Sequence, residues 1–146
     1  ADVPIACLSL TRFEREDATL VCYGGMLPVA MEAAVRLLTQ FEMSVRILAP
    51  GRIHPLEADR LGGLVVYRAP LVTLEEGTPA AGFGAELHAT LSERFPGAVG
   101  RLCRIGAKEL PVAAARTLED AILPQADDVV RAVRALAESA ANVGGD

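Results

Sequence analysis

The fold can be read from the stretch Asp17-Ala18-Thr19-Leu20-Val21-Cys22-Tyr23-Gly24-Gly25-Met26, followed by Pro28-Val29-Ala30-Met31-Glu32-Ala33-Ala34. Ala18 to Tyr23 is a short, apolar, partly β-branched run, as expected of a strand buried on both faces. Gly24-Gly25 ends it. Val29, Ala33 and Leu37, joined by Ala30, Ala34 and Leu38, then recur at helical spacing and predict a helix from about Leu27 to Gln40. Pro28 falls in its first turn, where a missing N–H costs nothing.

The alternation of strand and helix continues on both sides. Upstream, Ile5 to Phe13 is apolar with Ser9 and Thr11 interleaved, an edge strand. Downstream, Met43 to Ala49 is a second buried strand, closed by Pro50-Gly51, and Leu71 to Glu75 a third, followed by the turn-rich Gly77-Thr78-Pro79. A helix opens near Gly82-Phe83-Gly84 and carries Leu87, Leu91 and Phe95 on one face until Pro96-Gly97 stops it. Val99 to Ile105 reads as a strand interrupted by Arg101 and Arg104. A last helix, Ala126 to Glu138, turns Val129, Val130, Val133 and Leu136 inward, with Asp127 and Asp128 at its positive end. Leu64 to Tyr67 reads locally as a strand, and Gly62-Gly63 argues against a helix interior. The pattern predicts an α/β domain of three layers with a largely parallel sheet.

Composition narrows the function. The 146 residues are 51% hydrophobic and 23% charged, enough for one core and too apolar for disorder. A single domain over 1–146 follows, with 1–16 a leading strand and segment and 139–146 a flexible tail. The net charge is -5, the 14 basic residues form no stripe and only 4% of residues are aromatic, so nucleic acid is not an expected partner. No run approaches the ~20 apolar residues that span a bilayer, and Ala1-Asp2-Val3-Pro4 is no signal peptide; a cytoplasmic location is expected, without a membrane. The start at Ala1, without an initiator methionine, points to a processed, trimmed or excised chain. Cys7, Cys22 and Cys103 are far apart and in apolar surroundings, the pattern of three reduced, packed thiols.

Candidate chemistry is sparse. His54 and His88 are the only histidines, and neither stands in a nucleophile–base or metal-ligand spacing, so no catalytic residue and no metal ligand is assigned. Gly24-Gly25 sits where an open α/β sheet binds anions at its carboxyl edge, but it serves equally as a tight turn. Gly82-Phe83-Gly84 could cradle a carboxylate or phosphate, or let its helix approach the sheet closely. Glu75-Glu76 ends a strand at the same edge. The pair could do acid–base work if burial raises one pKa, or could simply face solvent. With His54 they mark a candidate functional edge.

Taken in order, these segments resemble the transketolase C-terminal domain family, and within it the C-terminal domain of the E1 β subunit of 2-oxoacid (pyruvate or branched-chain) dehydrogenases. The opening Asp17 to Ala34 carries the likeness. So do His54-Pro55-Leu56, Leu74-Glu75-Glu76-Gly77, Gly82-Phe83-Gly84-Ala85-Glu86, Leu118-Glu119-Asp120 and Leu123-Pro124. The resemblance covers Val3 to Ala137. It departs at Ala81, where the family has glycine, and at Ala49-Pro50-Gly51-Arg52-Ile53, where the family has Asp-Leu-Arg-Thr-Leu/Ile.

The resemblance implies a three-layer α/β/α fold with a five-stranded, mixed, mostly parallel sheet whose first strand is antiparallel. It also implies a helix over Glu57 to Arg68, against the local reading of a strand there. In the family, thiamine diphosphate and Mg²⁺ are held by other domains through a Gly-Asp-Gly motif, and this chain has no Gly-Asp-Gly. The expected role is therefore a non-cofactor-binding domain of a thiamine-diphosphate-dependent enzyme, not catalytic alone. Its expected partners are thiamine-binding domains or subunits, a second copy in a homodimer and an E2-type core. The alternative is a stand-alone anion-binding or regulatory module, using Gly24, Gly25, Gly82, Phe83 and Gly84.

Overall fold

Five strands form one sheet in the order β1-β3-β2-β4-β5. The structure is a computed structural model that describes residues 2–12, 15–110 and 121–141. Its strands are β1 (Ile5–Ser9), β2 (Ala18–Cys22), β3 (Val45–Pro50), β4 (Leu71–Leu74) and β5 (Leu102–Ile105). Its helices are α1 (Met26–Phe41), α2 (Ala58–Gly62), α3 (Phe83–Arg94) and α4 (Ala126–Ala141). β1 runs antiparallel to β3, and every other neighbour pair is parallel. The five-stranded mixed sheet with an antiparallel first strand is the expected one.

The pleat sends alternate residues to opposite faces. Leu20, Cys22, Ile47, Val72 and Leu74 lie under α1 and α4 with Ala30, Ala33, Leu37, Val129 and Val133. Val21, Leu48 and Leu71 lie under α2 and α3 with Leu61, Leu87 and Leu91. These are the two cores of a three-layer α/β/α unit. Each fully buried Leu or Val contributes about 1.5–3 kcal/mol relative to exposure. All of β2 and β4 is buried, which is why those strands read as nearly continuous apolar runs, each with a single threonine.

Several boundaries differ from expectation, each for a local reason. β1 stops at Ser9, where Ser9 Oγ donates to Thr11 C=O and Thr11 Oγ1 bonds Ser44 Oγ at 2.6 Å, turning the chain; Phe13 lies outside the described residues. The segment 57–68 is helical only over Ala58–Gly62. Gly62-Gly63 and the β-branched Val65-Val66 disfavour further helix. The Val66 N–H instead donates to Thr19 Oγ1, and Leu64 to Tyr67 forms no strand. β5 begins at Leu102 rather than Val99, because residues 96–98 form a turn and the segment after it meets the loop before β4 through Arg68 N–H on Ala98 C=O and Gly100 N–H on Ala69 C=O. The helix expected to end at Glu138 continues to Ala141, so 139–141 of the expected tail are helical. Residues 142–146, and Leu118-Glu119-Asp120, lie outside the described residues. The thiols are all free, but Cys7 is exposed rather than packed: it stands on an edge strand that no core covers.

Candidate functional site

The chain passes from β2 through α1 to β3 on one side, and from β3 through α2 to β4 on the other side of β2. The carboxyl ends of β2 and β4 therefore flank the point where the winding reverses, the position at which open α/β sheets form their crevice. Gly24-Gly25 follows β2, Glu75-Glu76 follows β4, Gly82-Phe83-Gly84 opens α3, and His54 lies in the loop after β3. A cavity of about 430 Å³ at this edge is lined by Tyr23, His54, Glu75, Gly82, Phe83 and Glu86, among others. The fold thus brings the sequence-predicted residues to one edge.

Glu75 is the best-defined side chain there. It is 1% exposed. Its Oε2 accepts the Phe83 N–H at 2.9 Å and its Oε1 accepts the Gly84 N–H at 3.1 Å. These are free N–H groups of the first turn of α3, where a negative charge meets the positive end of the macrodipole. The anion in the Gly82-Phe83-Gly84 cradle is the protein's own carboxylate. Both flanking glycines are needed for it. A Cβ on Gly82 would lie 2.5 Å from Glu75 Oε2, and one on Gly84 would lie 2.3 Å from Thr73 Oγ1 and 3.0 Å from Glu75 Oε1.

The start of α1 is arranged differently. Met26 N–H donates to Tyr23 C=O at 3.2 Å and Leu27 N–H to Gly24 C=O at 3.3 Å, so the turn itself satisfies them. The exposed Glu76 reaches over Gly25, close enough that a Cβ there would meet its Oε1 at 2.2 Å. Tyr23 packs edge-on against Phe83, with ring centroids 5.2 Å apart. Burial, then the charges of Glu75 and Glu76, push the Tyr23 hydroxyl pKa up, so it stays protonated. His54 is exposed, on the loop side of the cavity.

Both oxygens of Glu75 are thus held by backbone N–H groups at the start of α3, while Glu76 is exposed beside Gly25. No group of three metal-ligating side chains occurs among the described residues. Sequence reasoning missed two polar groups beneath α3. Thr73 Oγ1 and His88 Nε2 are both buried without a hydrogen-bond partner. His88 has its pKa lowered to about 4, by burial first and then by the Arg104 charge, so it is neutral near pH 7. A histidine between apolar helix positions signals this burial only once the helix is known to lie on the sheet.

Comparison with known proteins agrees on the fold and the family. The model of the family "Transketolase, C-terminal domain" matches residues 10–129. Pyruvate dehydrogenase E1 component subunit beta, mitochondrial, of Pisum sativum is 31% identical over 133 residues, which are 90% of this chain and 36% of that protein. The pyruvate dehydrogenase E1 component subunit beta of Rhizobium meliloti (strain 1021) is 32% identical over 122 residues, 83% of this chain and 26% of that one. The chain thus spans about a third of the curated relatives it matches. Among solved structures, a split gene transketolase, described as an inactive beta4 tetramer, superposes with a TM-score of 0.70 at 24% identity, over 91% of this chain and 41% of that one. A 2-oxoglutarate:ferredoxin oxidoreductase from Magnetococcus marinus superposes with a TM-score of 0.60 at 11% identity, over 90% and 20%.

Proposed function

The chain belongs to the transketolase C-terminal domain family, and on that premise we propose that it is the assembly and docking domain of a thiamine-diphosphate-dependent enzyme of the 2-oxoacid dehydrogenase E1 β kind. The cofactor and its Mg²⁺ reside in partner domains or subunits, and an E2-type core is a further docking partner. The chain performs no turnover alone, and its place is the cytoplasm. Among the described residues no helix is long and apolar enough to cross a membrane.

One observation carries this reading: the chain's own carboxylates stand at both glycine-opened helix starts of the crevice, Glu75 bonded to α3 and Glu76 over Gly25. A diphosphate placed there would meet two negative charges and no vacant N–H pair at α3, so these residues do not fit thiamine diphosphate. The same arrangement counts against a stand-alone anion-binding module.

The test is direct. Pure chain with pyruvate, thiamine diphosphate and Mg²⁺ is expected to show no decarboxylation, and measurable turnover overturns the reading. In a thermal-shift panel of phosphorylated and carboxylated metabolites no ligand should raise the melting point. A true ligand at ~100 Kd would add about 2.7 kcal/mol, and such a rise would favour the anion-binding module instead. The gene upstream or adjacent should encode domains bearing Gly-Asp-Gly.

A further inference from the structure

The loop from Glu76 to Gly82 contributes to two cavities of opposite character. One is the crevice that holds Glu75 and Glu86. The other lies at the carboxyl end of β5. It has a volume of about 590 Å³, is walled by Pro79, Ile105, Leu123 and Pro124, and bears Arg104 and Lys108. That volume is within the ~300–1,000 Å³ of ordinary binding pockets.

The carboxylates of this second cavity are already engaged. Asp127 pairs with Arg36 of α1. Asp128 Oδ2 accepts the Gln125 N–H at 2.9 Å, and its Oδ1 accepts an N–H of Arg131 at 3.0 Å, which closes the start of α4. Arg104 and Lys108 are not neutralised in the same way. Arg104 Nη1 donates to Pro79 C=O at 2.6 Å and Lys108 Nζ to Ala121 C=O at 2.8 Å, and neither meets a carboxylate among the described residues. Both side chains are exposed, and one bond each leaves most of their N–H donors unused. Beside them Ile105, Ile122 and Leu123 are only half-buried. The surface is therefore basic and apolar at once.

We propose that this cavity docks an acidic segment of a partner protein. Its Asp or Glu carboxylates would sit on Arg104 and Lys108, and a flanking apolar side chain would cover Ile105, Ile122 and Leu123. Charge complementarity selects the partner. The chain carries a net charge of -5, so it repels an acidic partner as a whole and attracts it where basic charge is uncompensated. The apolar walls select a protein segment over a free anion. An exposed ion pair alone gains little, whereas an apolar side chain beside it adds buried area. Such docking gives the role proposed above a place and a charge, and it rests on that reading for the partner being a protein chain.

The experiment titrates the isotope-labelled 146-residue chain with the peptide acetyl-Leu-Glu-Leu-Glu-Leu-amide and follows the amide NMR shifts. Shifts are expected to gather between Arg104 and Lys108 and between Leu123 and Gln125, with a Kd of about 1 mM or tighter. Replacing both Glu of the peptide by Gln leaves the protein untouched and should weaken binding at least about tenfold. Lys108→Glu should do the same, and Lys108→Arg should keep the binding. Citrate at equal concentration should move these amides far less. No binding at about 5 mM peptide, well above that Kd, overturns the proposal. So does equal binding by the Gln peptide, or by the Lys108→Glu chain. Citrate binding as tightly as the peptide would make the cavity a free-anion site and overturns it too. Turnover by the pure chain would instead end the docking reading, so the two fail separately.

Discussion

Helices α1 and α3 both begin on glycine at the carboxyl edge of the sheet, yet they are seated in different chemistry. Below α1 lie Met26, Ala30, Ala33, Ala34 and Leu37, all apolar, and its first N–H groups turn back onto Tyr23 and Gly24. Below α3, Leu87 and Leu91 share the contact with Thr73, Glu75 and His88, and its first N–H groups are held by a buried carboxylate. A glycine-rich strand-to-helix turn therefore does not by itself make an anion site. What decides is whether the chain has already supplied the anion. The α3 seat depends on a few polar groups, whereas the α1 seat depends on many interchangeable methyls.

The sharpest way to break the comparison is Glu75→Ala. It leaves two buried N–H groups without an acceptor and opens a cavity, and should cost about 3–4 kcal/mol in urea unfolding. Glu75→Gln should cost less, because one acceptor oxygen remains.

Acid should find the α3 seat next. Folded His88 titrates at about 4 and the unfolded side chain at 6.5, so the unfolded chain takes up its proton first. The stability gained by keeping His88 neutral is complete above about pH 6.5 and is lost as pH falls from there toward 4. The loss is roughly 3 kcal/mol, read as the change in the stability gap between native chain and His88→Leu.

Gly84→Ala forces a methyl against Thr73 and Glu75 and should cost about 2 kcal/mol. Ala81→Gly should act in the opposite direction. Ala81 has φ 53°, in the left-handed region that disfavours a Cβ, and glycine there should raise stability by about 1 kcal/mol. At the α1 start, Gly25→Ala meets only the end of the exposed Glu76 side chain, which can swing away. Both Gly25→Ala and Glu76→Gln should stay within about 0.5 kcal/mol of the native chain. If Gly25→Ala proved as costly as Gly84→Ala, the distinction between the two seats would fail.

The apolar half of this architecture was legible in the sequence. β2 and β4 are apolar but for one threonine each and β3 but for Arg46, and α1 and α4 repeat at helical spacing, so pattern alone located them. The polar half was not. Whether Glu75 faces solvent or a helix start depends on Gly84, nine residues on, coming back over the strand end, a tertiary fact. The sequence signal was present in the glycines on each side of Phe83, but it reads equally as a phosphate cradle. The segment after α2 misled both local and family reasoning. Gly62-Gly63 halted the helix, and Val65-Val66 had no free strand to join. The departure at Ala81 gains its meaning only from the backbone, whose left-handed conformation there is the one glycine adopts without strain.

The loop from Glu76 to Gly82 shows where this domain can change length. Its two ends are fastened by the carboxylate of Glu75 on Phe83 and Gly84. Its middle is fastened to the end of β5, through the Ala107 N–H on Gly77 C=O and the Arg104 guanidinium on Pro79 C=O. That leaves Ala80 and Ala81, both exposed, as the stretch without such a tether. Extra residues added there would lengthen an already closed loop, and each doubling of loop length costs only about 0.6 kcal/mol. An insertion on either side would have to break a fastening. Natural length variation and engineered peptide grafts should therefore both collect at Ala80-Ala81, leaving α3 and its carboxylate undisturbed.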